Sequence, residues 1–192
     1  MKTFELLSAL KKIRKPFFSL SDLETITKQK RNSLKVAIFR LCKKEIILRL
    51  SKGIFVLPEN IDKIPEIANQ IYSPSYFSFE SALSRYGIIS QIPYTITFAT
   101  KKRTKKIALG KKEIEYRQLK PSLFFGFKKE NNLFIALPEK ALLDELYFVS
   151  RGKAVLSFDE LDSKPINKKI FFKFSKSFPL QTQKIAKNLL KF

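Results

Sequence analysis

Two kinds of chemistry are open to the polar residues of this 192-residue chain, and their spacing separates them. Carboxylates come first. Glu113 and Glu115 stand two apart in KEIEYRQL, so on a strand they share a side. They could form half of a metal site for phosphodiester cleavage. Glu139, Lys140 and Asp144 in PEKALLDEL offer an acid–base trio. On a helix, however, residues i and i+1 face apart, and an acid in the first turn is already explained by the helix dipole. Glu139 therefore reads as a capping residue, and Asp144 and Glu80 as polar anchors between helix and sheet. Histidine is absent, which removes His-dependent triads, HExxH zinc sites and zinc fingers. The five glycines are scattered singly, so there is no glycine-rich phosphate loop. No cofactor and no metal are expected, and the chain reads as a non-enzyme.

Cations are the second kind. The formal net charge is +21, a surplus that attracts polyanions. Residues 1–57 carry 14 Lys/Arg against 4 Asp/Glu, so the charge is densest there. The stretch RNSLKVAIFRLCK, residues 31–43, places Leu34, Ala37, Ile38 and Leu41 at helical spacing as one apolar stripe. The opposite side holds Val36, Phe39, Arg40 and Lys43, flanked by Ser33 and Lys35. A helix that reads a DNA major groove needs this division. The expected DNA-binding set is Lys30, Arg31, Asn32, Ser33, Lys35, Val36, Arg40 and Lys43, joined by Arg49 and Lys52 from a following hairpin. Phe39 is expected to touch a thymine methyl, or to pack against the first helix or a second protomer. Cys42, the lone cysteine, excludes an internal disulfide and reads as a small packed residue. A second basic run, ATKKRTKKI, holds Lys101, Lys102, Arg103, Lys105 and Lys106. It reads either as a solvated hairpin tip or as a phosphate contact.

These side chains need elements to position them. Phe4, Leu7, Leu10 and Ile13 repeat at helical spacing, and Pro16 ends that first helix. FFSL is short and extended. Ser21-Asp22-Leu23-Glu24 fits a capping box for a second helix, and Asn32 fits the N-cap of a third. IILRL and IFVL read as strands around Ser51-Lys52-Gly53. Helix, strand, helix, helix, hairpin is the order of a winged helix-turn-helix, expected over residues 1–58. A connecting helix is expected over 59–71. An α+β domain of mixed elements with a mainly antiparallel sheet is expected over 72–192. In it, Ser78 should cap FESALSRY, with Gly87 at its C-terminal end. YTITFATKK, KKIALG, KEIEYRQL, SLFFGFKK and NLFIAL read as strands. Pro138 should open a helix with Ala141, Leu142 and Leu146 on one side. KKIFFKF reads as a strand, and its interleaved Phe and Lys admit an RNA-stacking alternative. A last amphipathic helix is expected around Ile185, Ala186 and Leu189.

Three blocks, YFSFESALSRYGII, QIPYTITFATKKRTKKI and ALPEKALLDELYF, resemble the AbiEi antitoxins of type IV toxin–antitoxin and abortive phage-infection systems. The resemblance runs from the N-terminal helices to about residue 148, and ALPEKALLD is its most specific part. It implies an N-terminal winged helix that binds inverted repeats in its own promoter and represses transcription. It also implies a C-terminal antitoxin domain and a nucleotidyltransferase-like toxin as counterpart, without a stable complex. The expected partner is thus double-stranded promoter DNA, met by a monomer or weak dimer. No run approaches a membrane span, and FELLSAL is too short for a signal peptide, so the expected location is the cytoplasm.

Overall fold

The structure, a computed structural model, describes residues 3–189. The chain is α+β and divides into two compact units. One comprises residues up to Ile67 with Ala108–Lys111, the other Ala68–Ile107 with Lys112 onward. The division falls inside α4 (Ile64–Ile71), in the expected connecting segment, whose earlier part is a single 3-10 turn, Pro58–Asn60.

The first unit runs α1 (Thr3–Ile13), β1 (Phe18–Ser19), α2 (Leu20–Thr27), α3 (Arg31–Lys43), β2 (Leu48–Ser51) and β3 (Ile54–Val56). Its strands form an antiparallel sheet in the order β1-β3-β2. The β2–β3 turn is Lys52-Gly53, where Gly53 at φ 79 takes the left-handed conformation a tight hairpin requires. Leu34, Ile38 and Leu41 of α3 enter the core beside Leu10, Leu23 and Phe55.

Three local expectations need correction here. The stripe on α1 is rotated: Phe4 is 81% and Ile13 42% exposed, while Leu6 and Leu10 are buried. Steps of three drift by about 60° each, so Phe4 and Ile13 lie on opposite edges, whereas Leu6 and Leu10 nearly share a bearing. The capping box of α2 is Ser19 with Asp22, not Ser21 with Glu24. Ser19 Oγ accepts from Asp22 N at 3.1 Å, and Asp22 Oδ2 accepts from Ser19 N at 2.8 Å. β1 ends at Ser19, so the helix starts two residues early. Ser19→Ala should lower stability by about 1 kcal/mol, measurable as a shift in the helical circular-dichroism transition. Finally, α3 begins at Arg31 after Lys30, and Asn32 makes no cap. Lys28, left-handed at φ 54, ends α2, and only Lys28–Lys30 separate the two helices.

The second unit holds β4 (Ser75–Phe77), α5 (Phe79–Arg85), β5 (Ile96–Thr100), β6 (Lys105–Leu109), β7 (Lys112–Gln118), β8 (Phe127–Glu130), β9 (Leu133–Ala136), α6 (Pro138–Val149), α7 (Lys168–Ser175) and α8 (Leu180–Leu189). The sheet order is β6-β7-β5-β4-β9-β8. This sheet is mixed. β4–β5 and β8–β9 are antiparallel, but β4–β9 and β5–β7 are parallel. Counting both sheets, antiparallel pairings with a defined register outnumber parallel ones, four to two.

Helix α6 departs from its expected one-sided stripe, because Glu139 through Tyr147 are all buried. KKIFFKF is helix α7, not a strand. Asn167 caps it, accepting from Lys169 N and Ile170 N. Phe171 and Phe178 are buried, and Phe174 meets Phe125 edge-on at 5.3 Å. Phe171 and Phe174 lie three apart on α7 and turn inward with Phe178, so these rings pack into the core and do not form a stacking strip. Among the described residues, no helix is long and apolar enough to cross a membrane.

Candidate nucleic-acid interface

Burial of Leu34, Ile38 and Leu41 fixes how α3 is rolled, and the roll decides what faces outward. Every residue of the expected DNA-binding set is exposed: Lys30, Arg31, Asn32, Ser33, Lys35, Val36, Arg40, Lys43, Arg49 and Lys52. All ten lie in the first unit. Among the described residues only Arg31 of these makes an ion pair, at 3.6 Å to Glu24. Arg49 Nε donates to Ser51 O at 3.3 Å, which holds its guanidinium along the hairpin. The remaining cations make no ion pair among the described residues.

The outer face of α3 is a ridge between two hollows. On one side Arg31, Lys35 and Phe39 line a groove of about 700 Å³, completed by Arg49, Lys52 and Gly53 of the hairpin. On the other side Arg40 lines a hollow of about 370 Å³ with Thr27, Gln29 and Lys44. Phe39 is 69% exposed and lies outside the core cluster that Leu6 and Leu10 of α1 join. Cys42 lines the first groove, and burial pushes its thiol pKa up, against the pull of Arg49. Sequence reasoning missed Gln29 and Lys44. Gln29 sat in a stretch read only as a polar turn, and Lys44 follows the last residue of the helix.

The second basic run lies on the second unit, in the turn after β5 and the first two residues of β6, and Lys101 through Lys106 are exposed. It is not a uniform patch. Lys106 is drawn to Glu113 and Glu115, 3.6 Å from each. Lys101 lies over the Phe124 ring at 4.9 Å. Lys102 and Lys105 both lie 5.2 Å from the centre of Tyr72, whose hydroxyl donates to Arg103 O at 2.9 Å. Tyr72 thus organises the run, and nothing in the spacing of the lysines pointed to it.

The carboxylates do not assemble a metal site. Among the described residues no group of three His, Cys, Asp or Glu is placed to hold an ion. Glu115 is engaged by Arg117 Nε at 2.9 Å, and Glu80 grips the same guanidinium through two bonds of 2.9 Å. Glu145 lies 3.5 Å from it. Burial opposes charge on Arg117, but Glu80, Glu145 and Glu115 outweigh it and raise the pKa above the usual arginine value. Lys140 turns to Asp144, not to Glu139. Asp144 also accepts from Tyr76 Oη at 2.9 Å and Ser78 Oγ at 2.8 Å. Ser78 thereby ties β4 to α6 and gives α5 no side-chain cap. Glu139 Oε1 accepts from Asn167 N at 2.8 Å, so it receives the start of α7 and does not cap its own helix.

Neither a family profile nor a curated protein matches the sequence. A solved structure matches in fold. The crystal structure of the RV2827C protein from Mycobacterium tuberculosis aligns over 98% of this chain and 75% of its own, with a TM-score of 0.65. Identity is 14%, so the likeness is one of fold.

Proposed function

We propose that this protein is a DNA-binding transcriptional repressor and antitoxin of a type IV toxin–antitoxin system, acting in the cytoplasm without catalysis or cofactor. The first unit works as a winged helix-turn-helix, with α3 as the reading helix and the β2–β3 hairpin as the wing. It binds inverted repeats in its own promoter as a monomer or weak dimer. Its functional counterpart is a nucleotidyltransferase-like toxin, countered without a stable complex.

One observation supports the DNA half most: an exposed α3 face and hairpin whose Lys35, Arg40, Lys43, Arg49 and Lys52 make no ion pair among the described residues. Backbone phosphates would pair with Lys35, Arg49 and Lys52, while Arg40, Asn32 and Val36 would reach base edges. The antitoxin half rests on the sequence blocks around Phe79, Thr97 and Pro138 that resemble AbiEi antitoxins.

Duplex carrying the repeats upstream of the gene should bind specifically. With about six phosphates neutralised, log K should fall against log salt with a slope of about −5. Arg40→Ala should weaken binding and, if Arg40 contacts a base, reduce discrimination by about 1–3 kcal/mol. A flat salt response, or equal affinity for unrelated duplex, would overturn the reading. The antitoxin half is read separately, as restored growth when the chain is co-expressed with the neighbouring toxin.

A further inference from the structure

The groove between α3 and the hairpin has a feature that phosphate binding does not use. Its floor is apolar, made by Leu20, Ile38, Cys42 and Phe55, and the 69% exposed Phe39 forms one wall. Its rim is Arg31, Lys35, Arg49 and Lys52, and no acidic residue lines it. A phosphodiester backbone would satisfy the rim and leave the floor in contact with water. At about 700 Å³ the groove falls within the range of sites for small organic ligands, roughly 300–1,000 Å³.

We propose that this groove binds a small amphipathic organic anion, a carboxylate or sulfonate carrying an alkyl or aryl body. The body covers the exposed Phe39 and the half-buried Leu20 and Cys42, removing apolar surface from water. The anionic head meets Lys35, Arg49 and Lys52, and charge complementarity selects it over a neutral lipid or a cation. Because the same three cations are those offered to phosphates, an occupied groove displaces duplex. That consequence rests on the function proposed above, whereas occupancy itself does not.

Cys42 is the only thiol in the chain and lines the groove, so it reports occupancy directly. The intact protein is treated with N-ethylmaleimide, an uncharged reagent, and modification is followed by mass spectrometry. Octanoate is the probe. At ten times its dissociation constant it should slow modification about tenfold. 1-Octanol at the same concentration and inorganic phosphate at the same ionic strength should leave the rate unchanged. The double variant Lys35→Gln, Lys52→Gln, at two exposed positions that leave Arg49 beside the thiol, should lose most of the protection, measured against its own rate without octanoate. The proposal is overturned by no slowing, by equal slowing with octanol or phosphate, or by protection that survives in the double variant. Slowing that follows protein concentration without octanoate also overturns it, because the occupant is then a second copy of this chain. A protein that fails to bind duplex but passes this test loses the repressor reading and keeps the site. One that binds duplex and fails this test does the reverse.

Discussion

Replacing Asp144 with alanine should destabilise the second unit by about 3–5 kcal/mol, enough to unfold a marginal domain. The reason is Lys140. Its side chain is fully buried, and its ammonium is held by Asp144 and by Tyr76 Oη at 2.8 Å. It also lies 5.4 Å over Tyr76, 5.2 Å over Phe125 and 5.1 Å over Phe178. Burial drives Lys140 toward the neutral amine and Asp144 toward the neutral acid, and each partner resists the shift of the other. Removing the carboxylate strands an ammonium in that aromatic cage and leaves Tyr76 and Ser78 without their acceptor. The double replacement Lys140→Met, Asp144→Leu removes both charges and should be markedly less costly than Asp144→Ala alone. All six tyrosines lie at or beyond Tyr72, and the chain has no tryptophan. Tyrosine fluorescence during urea unfolding therefore reports this unit and checks both outcomes. A double variant as damaged as the single one would show that the pair is not the source of the cost.

Glu145 should make stability fall as pH rises from about 5 to about 8. Its side chain is fully buried, its Oε2 lies 3.5 Å from Arg117, and its Oε1 has no hydrogen-bond partner. Burial, then repulsion from Glu80, Asp144 and Glu115, raises its pKa from 4.5 to about 8 against the attraction of Arg117. Between those values the folded chain holds a proton that the unfolded chain has released. The stabilisation is therefore complete below the unfolded value and is lost as pH climbs through the folded one. At about 1.4 kcal/mol per tenfold change in proton affinity, the ceiling is on the order of a few kcal/mol. Glu145→Gln should flatten that slope, and the variant should exceed the parent most clearly near pH 8. Urea midpoints across the range measure this, and an unchanged slope in the variant would refute it.

Much of the first unit was legible because its signals are local. Leu34, Ile38 and Leu41 repeat on one side of a helix, and Lys52-Gly53 is a turn by composition alone. What was misread there were ends and bearings: Ser19 caps where Ser21 was expected, and Leu6 is inside where Phe4 was expected. In the second unit most strand segments were visible, but their order was not. The parallel pairing of Phe77 with Ile135 depends on contacts far apart in sequence, and no periodicity records it. Helix α6 defeated pattern reading for another reason. Lys140 and Asp144 satisfy each other out of water, so polar residues occupy a face that ordinarily faces solvent. KKIFFKF resembled a strand because its aromatic content is high, whereas its buried residues, Phe171 and Ser175, stand four apart as on one face of a helix. Of the candidate interface, the exposure of the ten expected residues was legible from type and spacing. The hollow joining Arg40 to Gln29 and Lys44 needed the roll of the helix.

The uneven reach of these contacts bears on synthesis. The apolar cluster that secures α1 to α3 draws only on Leu6 through Leu57. It can consolidate as soon as that stretch leaves the ribosome. The large sheet must wait, since β4 has no neighbour on one flank until Ile135 has been translated. During that interval β4 and β5 offer open backbone to any passing strand, and a growing polypeptide at this stage is a natural client for a holdase chaperone.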